Sequence, residues 1–151
     1  MGKVAYEHDF FGWTQEQAAL LRTGRLAELD VEHLIEEIES MGRGERRQLA
    51  NRLELLLTHL LKWDHQPDRR EIDGKSWVRT MREQRRKIAK LIRDNPSLNP
   101  LLGDCIRDAY EDARFGASDE TDLSVSVFPA SCPYTPEQIL DLDFLPVAEP
   151  R

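Results

Sequence analysis

The chain predicts an all-α fold, a helical bundle of four to five helices with a mostly irregular C-terminal tail packed on it. Three observations carry that prediction. Apolar residues recur at three- and four-residue steps from Val31 to Trp63, from Trp77 to Ile92 and from Leu98 to Ala113. Residues that start or stop helices fall between those runs: Asp30, Pro67, Ser76, Asn95-Pro96 and Ser97. Strand-like alternation is confined to Leu123, Val125 and Val127, and Pro129 and Pro133 follow it at once.

Thr14 with Gln17 three residues on reads as a capping box opening a first helix, and Gly24 reads as its left-handed end. Tyr6, Phe10, Phe11 and Trp13 form an aromatic lead-in ahead of it. Asp30 is placed to cap a second helix, with Glu32, Glu36 and Glu37 against its positive end. That helix carries Leu34, Ile35, Ile38 and Met41, then Leu49, Leu53, Leu56, Leu60 and Trp63. Gly42 and Gly44 each cost up to about 1 kcal/mol inside a helix. No large apolar residue lies between Met41 and Leu49, so a kink or break at 42–44 is expected. Leu53 to Trp63 is apolar around most of its circumference, which marks the central, most buried helix.

Asp68 to Gly74 reads as a polar loop. A helix then presents Trp77, Met81, Ile88, Leu91 and Ile92, and another runs from Ser97 to about Phe115 with Pro100 in its permissive first turn. Thr135-Pro136-Glu137-Gln138 is a second capping box, opening a turn or two of helix. Length predicts one domain over 1–151, its bundle at about 14–117 and its docking tail at about 118–151. Phe128, Tyr134, Ile139, Leu142, Phe144 and Leu145 must bury, on this chain's own bundle or on a neighbouring copy.

Charge is unevenly placed. Residues 1–42 carry 3 Lys/Arg against 9 Asp/Glu, residues 43–93 carry 15 against 7, and residues 94–151 carry 3 against 12. The net charge of −7 disfavours a dedicated nucleic-acid module, which is typically strongly basic. No apolar run is long enough for a membrane span. Met1-Gly2-Lys3 lacks the apolar stretch of a signal peptide, and Tyr6 stands where a myristoylation motif wants Ser or Thr. The expectation is a cytoplasmic protein without membrane contact. Cys105 and Cys132 form no CxxC and read as free thiols.

Several segments together resemble one family: Tyr6 to Trp13, LIEEIESMGRGERR (Leu34 to Arg47), LLTHLLKW (Leu56 to Trp63) with Gln66-Pro67, then Ser76-Trp77, REQRRKI (Arg82 to Ile88), NPSL (Asn95 to Leu98) and FPASCPYT (Phe128 to Thr135). It is the bacterial family catalogued as domain of unknown function 29. The similarity runs from about Tyr6 to Pro146. It implies a helical bundle of bacterial, cytoplasmic origin, and it brings no activity, cofactor or catalytic residue with it. The chain departs from the family pattern at His33 (usually Asn), His65 (usually aromatic) and Gly44 (usually Ser).

Three constellations could carry chemistry. Arg79, Arg82, Arg86, Lys90 and Arg93 share one helix face, with Arg85 and Lys87 beside it and Trp77 able to stack on a base. The next helix offers Asp104, Asp108, Glu111 and Asp112, so pairing within the chain is the expected fate of that stripe. His33 and Glu37, four apart, could meet His59 as ligands of a metal-dependent hydrolase, although neither HExxH nor paired ExxH is present. Glu36, Glu37 and Glu39 ahead of Arg43, Arg46 and Arg47 read as a structural acid–base cluster, a buried network pinning the kink, or else as an acid–base pair lining a pocket. Nucleophilic catalysis has no support: there is no GxSxG elbow or phosphate loop, and no histidine lies near Cys132. The function expected is a non-enzymatic protein-interaction or structural module without cofactor, its partner an unknown protein or a second copy. Nucleic-acid binding through Arg79–Arg93 and metal-dependent hydrolysis are the alternatives.

Overall fold

The computed structural model describes residues 5–147, so the expectation about a leader at Met1-Gly2-Lys3 falls outside the described residues. The described residues form five α-helices and no strand: α1 (Phe10–Arg22), α2 (Val31–His65), α3 (Arg70–Asp94), α4 (Leu102–Thr121) and α5 (Pro136–Leu140). The fold is the all-α bundle read from the sequence. Two compact units divide the chain, Met1–Gly44 and Glu45–Arg151. No described helix is long and apolar enough to cross a membrane.

In the first unit, α1 begins five residues earlier than the Thr14 capping box suggests. Asp9 caps it instead, its carboxylate accepting the Gly12 N–H at 2.9 Å, so Phe10, Phe11 and Trp13 of the aromatic lead-in form the helix's own first turn, with Tyr6 ahead of it. Gln17 serves elsewhere: it is buried, and its Oε1 accepts the Asp30 N–H at 2.8 Å. Gly24 closes α1 at φ +72°, with Gly24 N donating to Leu21 O at 3.2 Å and Arg25 N to Leu20 O at 2.9 Å. Asp30 caps α2 as read, accepting the His33 N–H at 3.4 Å.

The expected break at 42–44 is absent, because α2 runs unbroken through both glycines. The energetics explain it. Two helical glycines cost roughly 2 kcal/mol together, whereas starting a new helix costs about 4 kcal/mol at a nucleation constant near 10⁻³. Glu39 and Arg43 also face each other across Gly42 at 3.8 Å.

The second unit holds the core. Leu49, Leu53, Leu56, Leu57, Leu60 and Leu61 of α2 are all 0% exposed, which makes this stretch the buried centre that its composition indicates. Trp77, Met81 and Ile88 of α3, Ile106, Ala109 and Ala113 of α4, and Phe128, Tyr134 and Ile139 of the tail close around it. Small residues let α4 come near: a Cβ at Gly116 would lie 3.5 Å from Thr58 Oγ1.

Helix α3 starts at Arg70, not at Ser76, so the expected loop 68–74 is a short 3-10 turn (Pro67–Arg69) followed by helix. Glu71 and Asp73 sit in its first turn, where the positive helix end favours them. Gly74 is a packing residue: a Cβ there would come within 3.0 Å of the Trp63 ring. Arg70 holds the same ring, its guanidinium 5.0 Å from the centroid, while its Nε donates to Trp63 O at 2.8 Å.

Ser97 does not cap a helix, since Pro96–Leu101 is a 3-10 segment and α4 follows it. Val125–Val127 is likewise a 3-10 turn and not an extended segment. Arg114 gathers its carbonyls, donating to Val125 O and Phe128 O at 3.1 Å each. The second capping box is present as read, with Gln138 N to Thr135 Oγ1 at 3.1 Å and Thr135 N to Gln138 Oε1 at 3.0 Å.

Candidate functional site

The basic stripe of α3 is where the sequence places most of its binding chemistry, and the structure divides it. Trp77 is 6% exposed in the core, with Lys62 Nζ 5.4 Å from its ring centroid, so no base can stack on it. Arg82 turns to the tail and pairs with Asp143 at 2.8 Å. Lys87 and Lys90 pair within α3, with Glu83 and Asp94 at 2.8 and 2.9 Å. Arg79, Arg86 and Arg93 are exposed, and among the described residues none is seen in an ion pair.

The acidic helix α4 does not neutralise the stripe as expected. Asp104 pairs with its own Arg107 at 3.0 Å, and Asp108, Glu111 and Asp112 are exposed to solvent. Surface carboxylates gain little from reaching across to another helix, and an i,i+3 or i,i+4 partner is entropically cheaper.

Arg85, beside the stripe by helical spacing, is a buried cation of α3. It is 2% exposed, and its guanidinium covers the end of α5: Nε donates to Ile139 O at 2.7 Å, Nη1 to Leu142 O at 3.3 Å and Nη2 to Gln138 O at 3.4 Å. Burial holds its pKa below the ordinary arginine value, with Asp141 opposing. A sequence signal existed: Arg85 lies one turn from Met81 and Ile88, on their side of α3.

In the first unit, Tyr6, Trp13 and His33 assemble around Asp30. His33 Nδ1 lies 2.7 Å from Asp30 Oδ2, which also accepts the Trp13 indole N–H at 3.0 Å. Tyr6 stacks on the His33 ring at 4.1 Å, and its hydroxyl donates to Glu37. That bond pushes the Tyr6 pKa up to about 12. The hydrogen bond to Asp30 raises the His33 pKa, and the same bond lowers that of Asp30.

The metal candidates are therefore occupied with other partners. His33 is held by Asp30 and Glu37 by Tyr6, while His59 Nδ1 donates to Leu55 O at 2.8 Å and burial lowers its pKa. No group of three or more His, Cys, Asp or Glu side chains among the described residues is arranged to hold a metal ion. His65 takes the aromatic role at its position, edge-on to Phe128 at 5.0 Å.

The acid–base cluster on α2 is not a buried network. Glu36, Glu39, Arg43, Arg46 and Arg47 are exposed, Glu37 is half-buried, and only Glu39–Arg43 is a pair within the cluster among the described residues. Beside it lies a feature that periodicity alone assigns to the interior. Val31, Ile35, Ile38 and Met41 are 55, 51, 61 and 64% exposed. On a 3.6-residue period, Val31, Ile35 and Ile38 continue the stripe of Leu49, Leu53, Leu56 and Leu60.

A groove of about 510 Å³ lies between α4 and the 130–136 segment, lined by Ile106, Arg107, Tyr110, Arg114, Cys132 and Pro136 among others. Cys105 and Cys132 are free thiols, and burial raises the Cys132 pKa, so it stays a thiol and not a thiolate nucleophile. Tyr110 is spoken for as well, its hydroxyl donating to Pro129 O at 2.5 Å.

Neither the curated proteins nor the solved structures contain a significant match to this chain. A family model described as "Domain of unknown function DUF29" matches residues 5–145. That span takes in both helical units and the docked tail, and the chain belongs to this family.

Proposed function

We propose that the protein is a non-enzymatic interaction module of the bacterial cytoplasm, working through the first three turns of α2. The observation that carries the reading is the apolar row Val31, Ile35, Ile38 and Met41, each more than half exposed, whereas Leu49, Leu53, Leu56 and Leu60 later in the same helix are fully buried. Large apolar side chains in a row, rimmed by charge, are the usual mark of a docking surface. His33, Glu37 and His59, the candidate metal ligands, are by contrast each held by a structural partner. The test is capture from native lysate with the wild-type chain and with Ile38→Glu as paired baits. Interaction through this face predicts a stoichiometric partner, or self-association, that the variant loses; identical recovery with both baits would end the reading.

A second reading rests on Arg79, Arg86 and Arg93, exposed at seven-residue intervals and without an ion pair among the described residues. It makes α3 a contact surface for nucleic-acid phosphates. Binding at about 50 mM salt that collapses by about 200 mM supports it, and no retention at low salt removes it. Glu83 works against it: Lys87 first, then Arg86 and Arg79, lower its pKa, so a carboxylate charge sits inside the row.

A further inference from the structure

We infer that the occupant of the exposed α2 face is a second copy of this chain, docked antiparallel about a two-fold axis near Ile38. The inference rests on the interaction reading above and names its partner.

The first argument is charge. Glu32 and Glu36 lie toward the start of the exposed α2 segment, and Arg43 follows at 1.5 Å per residue on the same flank of the helix. An acidic start and a basic end on one flank are self-complementary under a two-fold rotation. With Ile38 on the axis, Arg43 of one copy falls level with residue 33 of the other, between Glu32 and Glu36. A parallel copy would set this flank against the opposite flank of its neighbour, so Arg43 would not meet Glu32 and Glu36. Among the described residues the ion pair seen for Arg43 is with Glu39 at 3.8 Å, and both side chains are more than half exposed, so Arg43 can serve both.

The second argument is shape. The same register sets Ile35 against Met41 and Leu34 against Gly42. Gly42 lies on the apolar face of α2, and a Cβ there would meet nothing within 4 Å. Its own chain therefore gives no reason for a glycine, which costs about 1 kcal/mol in a helix. A facing helix at close approach does give one. The opposite side of this segment is already taken, by Tyr6 on His33 and Glu37. The apolar side is open, with Val31, Ile35, Ile38 and Met41 each more than half exposed.

Full-length protein in the micromolar range is examined by light scattering on a sizing column and by sedimentation, as wild type, Ile38→Glu, Arg43→Glu and the double variant Glu32→Arg/Glu36→Arg. A wild-type dimer is expected. Ile38→Glu weakens it by about thirtyfold or more, as loss of a central contact does, with an unchanged helical circular-dichroism spectrum because Ile38 is exposed in the single chain. Each charge variant weakens the homodimer, and mixing Arg43→Glu with Glu32→Arg/Glu36→Arg restores association as a heterodimer. A dimer indifferent to Ile38→Glu, or charge variants that do not rescue each other, overturns the inference. A monomeric wild type overturns it too. If that monomer still captures another protein through Ile38, the interaction reading stands without it; if it captures nothing, both fall.

Discussion

The Arg85 guanidinium lies across the C-terminal end of α5, its Nε 2.7 Å from the Ile139 carbonyl oxygen. Its other nitrogens donate to the carbonyls of Leu142 and Gln138, the latter shared with the Asp141 N–H, so one buried cation gathers carbonyls at and just past the end of a five-residue helix. Docking of the tail on its own helices depends on this contact together with the burial of Phe128, Tyr134 and Ile139.

Removing the clamp leaves carbonyls buried without a donor. Arg85→Ala is expected to cost about 3 kcal/mol, the range for hydrogen bonds to a charged group. Denaturant melts measure the loss, and limited proteolysis should show faster cutting near 122–135 than in wild type. Arg85→Lys keeps the charge but cannot reach three carbonyls, so it should recover only part of the stability.

The His33–Asp30 pair makes the first unit sensitive to pH. The pKa of His33 is raised, so its contribution is full below about 6.5, the unfolded histidine value, and fades as pH rises through the raised folded value. The pKa of Asp30 is lowered, so its contribution is present above the unfolded value and fades as pH falls through the lowered one. The pair is strongest in the mildly acidic window between. Titration of His33 by NMR should give a pKa above the ordinary value, and Asp30→Asn should return it toward normal. An unshifted His33 in the wild type would contradict the geometry.

Two helical glycines should respond in opposite directions to alanine. Gly42→Ala gains helix propensity in open space, about 0.5–1 kcal/mol more stable. This is best measured in the Ile38→Glu background, where association does not enter. Gly74→Ala gains the same propensity but drives a methyl to 3.0 Å from a Trp63 ring that Arg70 already holds. The overlap costs about 1–3 kcal/mol, so the net change should be destabilising. Thermal melts of both variants decide it.

Leu57 is fully buried in the second half of α2. Leu57→Ala should cost about 2–5 kcal/mol through lost burial and the cavity left behind. Ile38→Ala on the same helix should change single-chain stability by less than about 0.5 kcal/mol, as surface substitutions do. Equal losses at the two sites in chemical denaturation would mean that the exposed α2 face is not exposed in solution.

Periodicity and punctuation were enough for the existence and order of the long helices, because the 3.6-residue spacing of Leu53 to Trp63 or Met81 to Ile92 admits little else. They were also enough for the caps at Asp30 and Thr135, whose bonds are local. Where they misled, the deciding contact was remote in sequence or a competing local bond won. Gly74 looked like a loop signal because nothing nearby announces Trp63 packed against it. Thr14 with Gln17 has the residue types of a capping box, yet Asp9, five residues upstream, caps the helix. The stripe on α3 looked uniform, yet the tail claims Arg82 and Arg85, more than fifty residues away in sequence.

The amino-acid sequence by itself determined an all-α chain with a buried second half of α2 and free cysteines, since these follow from spacing and residue type. Tertiary structure alone decided which cations are consumed and which remain open, and that Val31, Ile35, Ile38 and Met41 stand exposed while Leu49 to Leu60 on the same helical period are buried. The physical reason is that periodicity tells which residues share a face, whereas burial depends on what another segment places against that face.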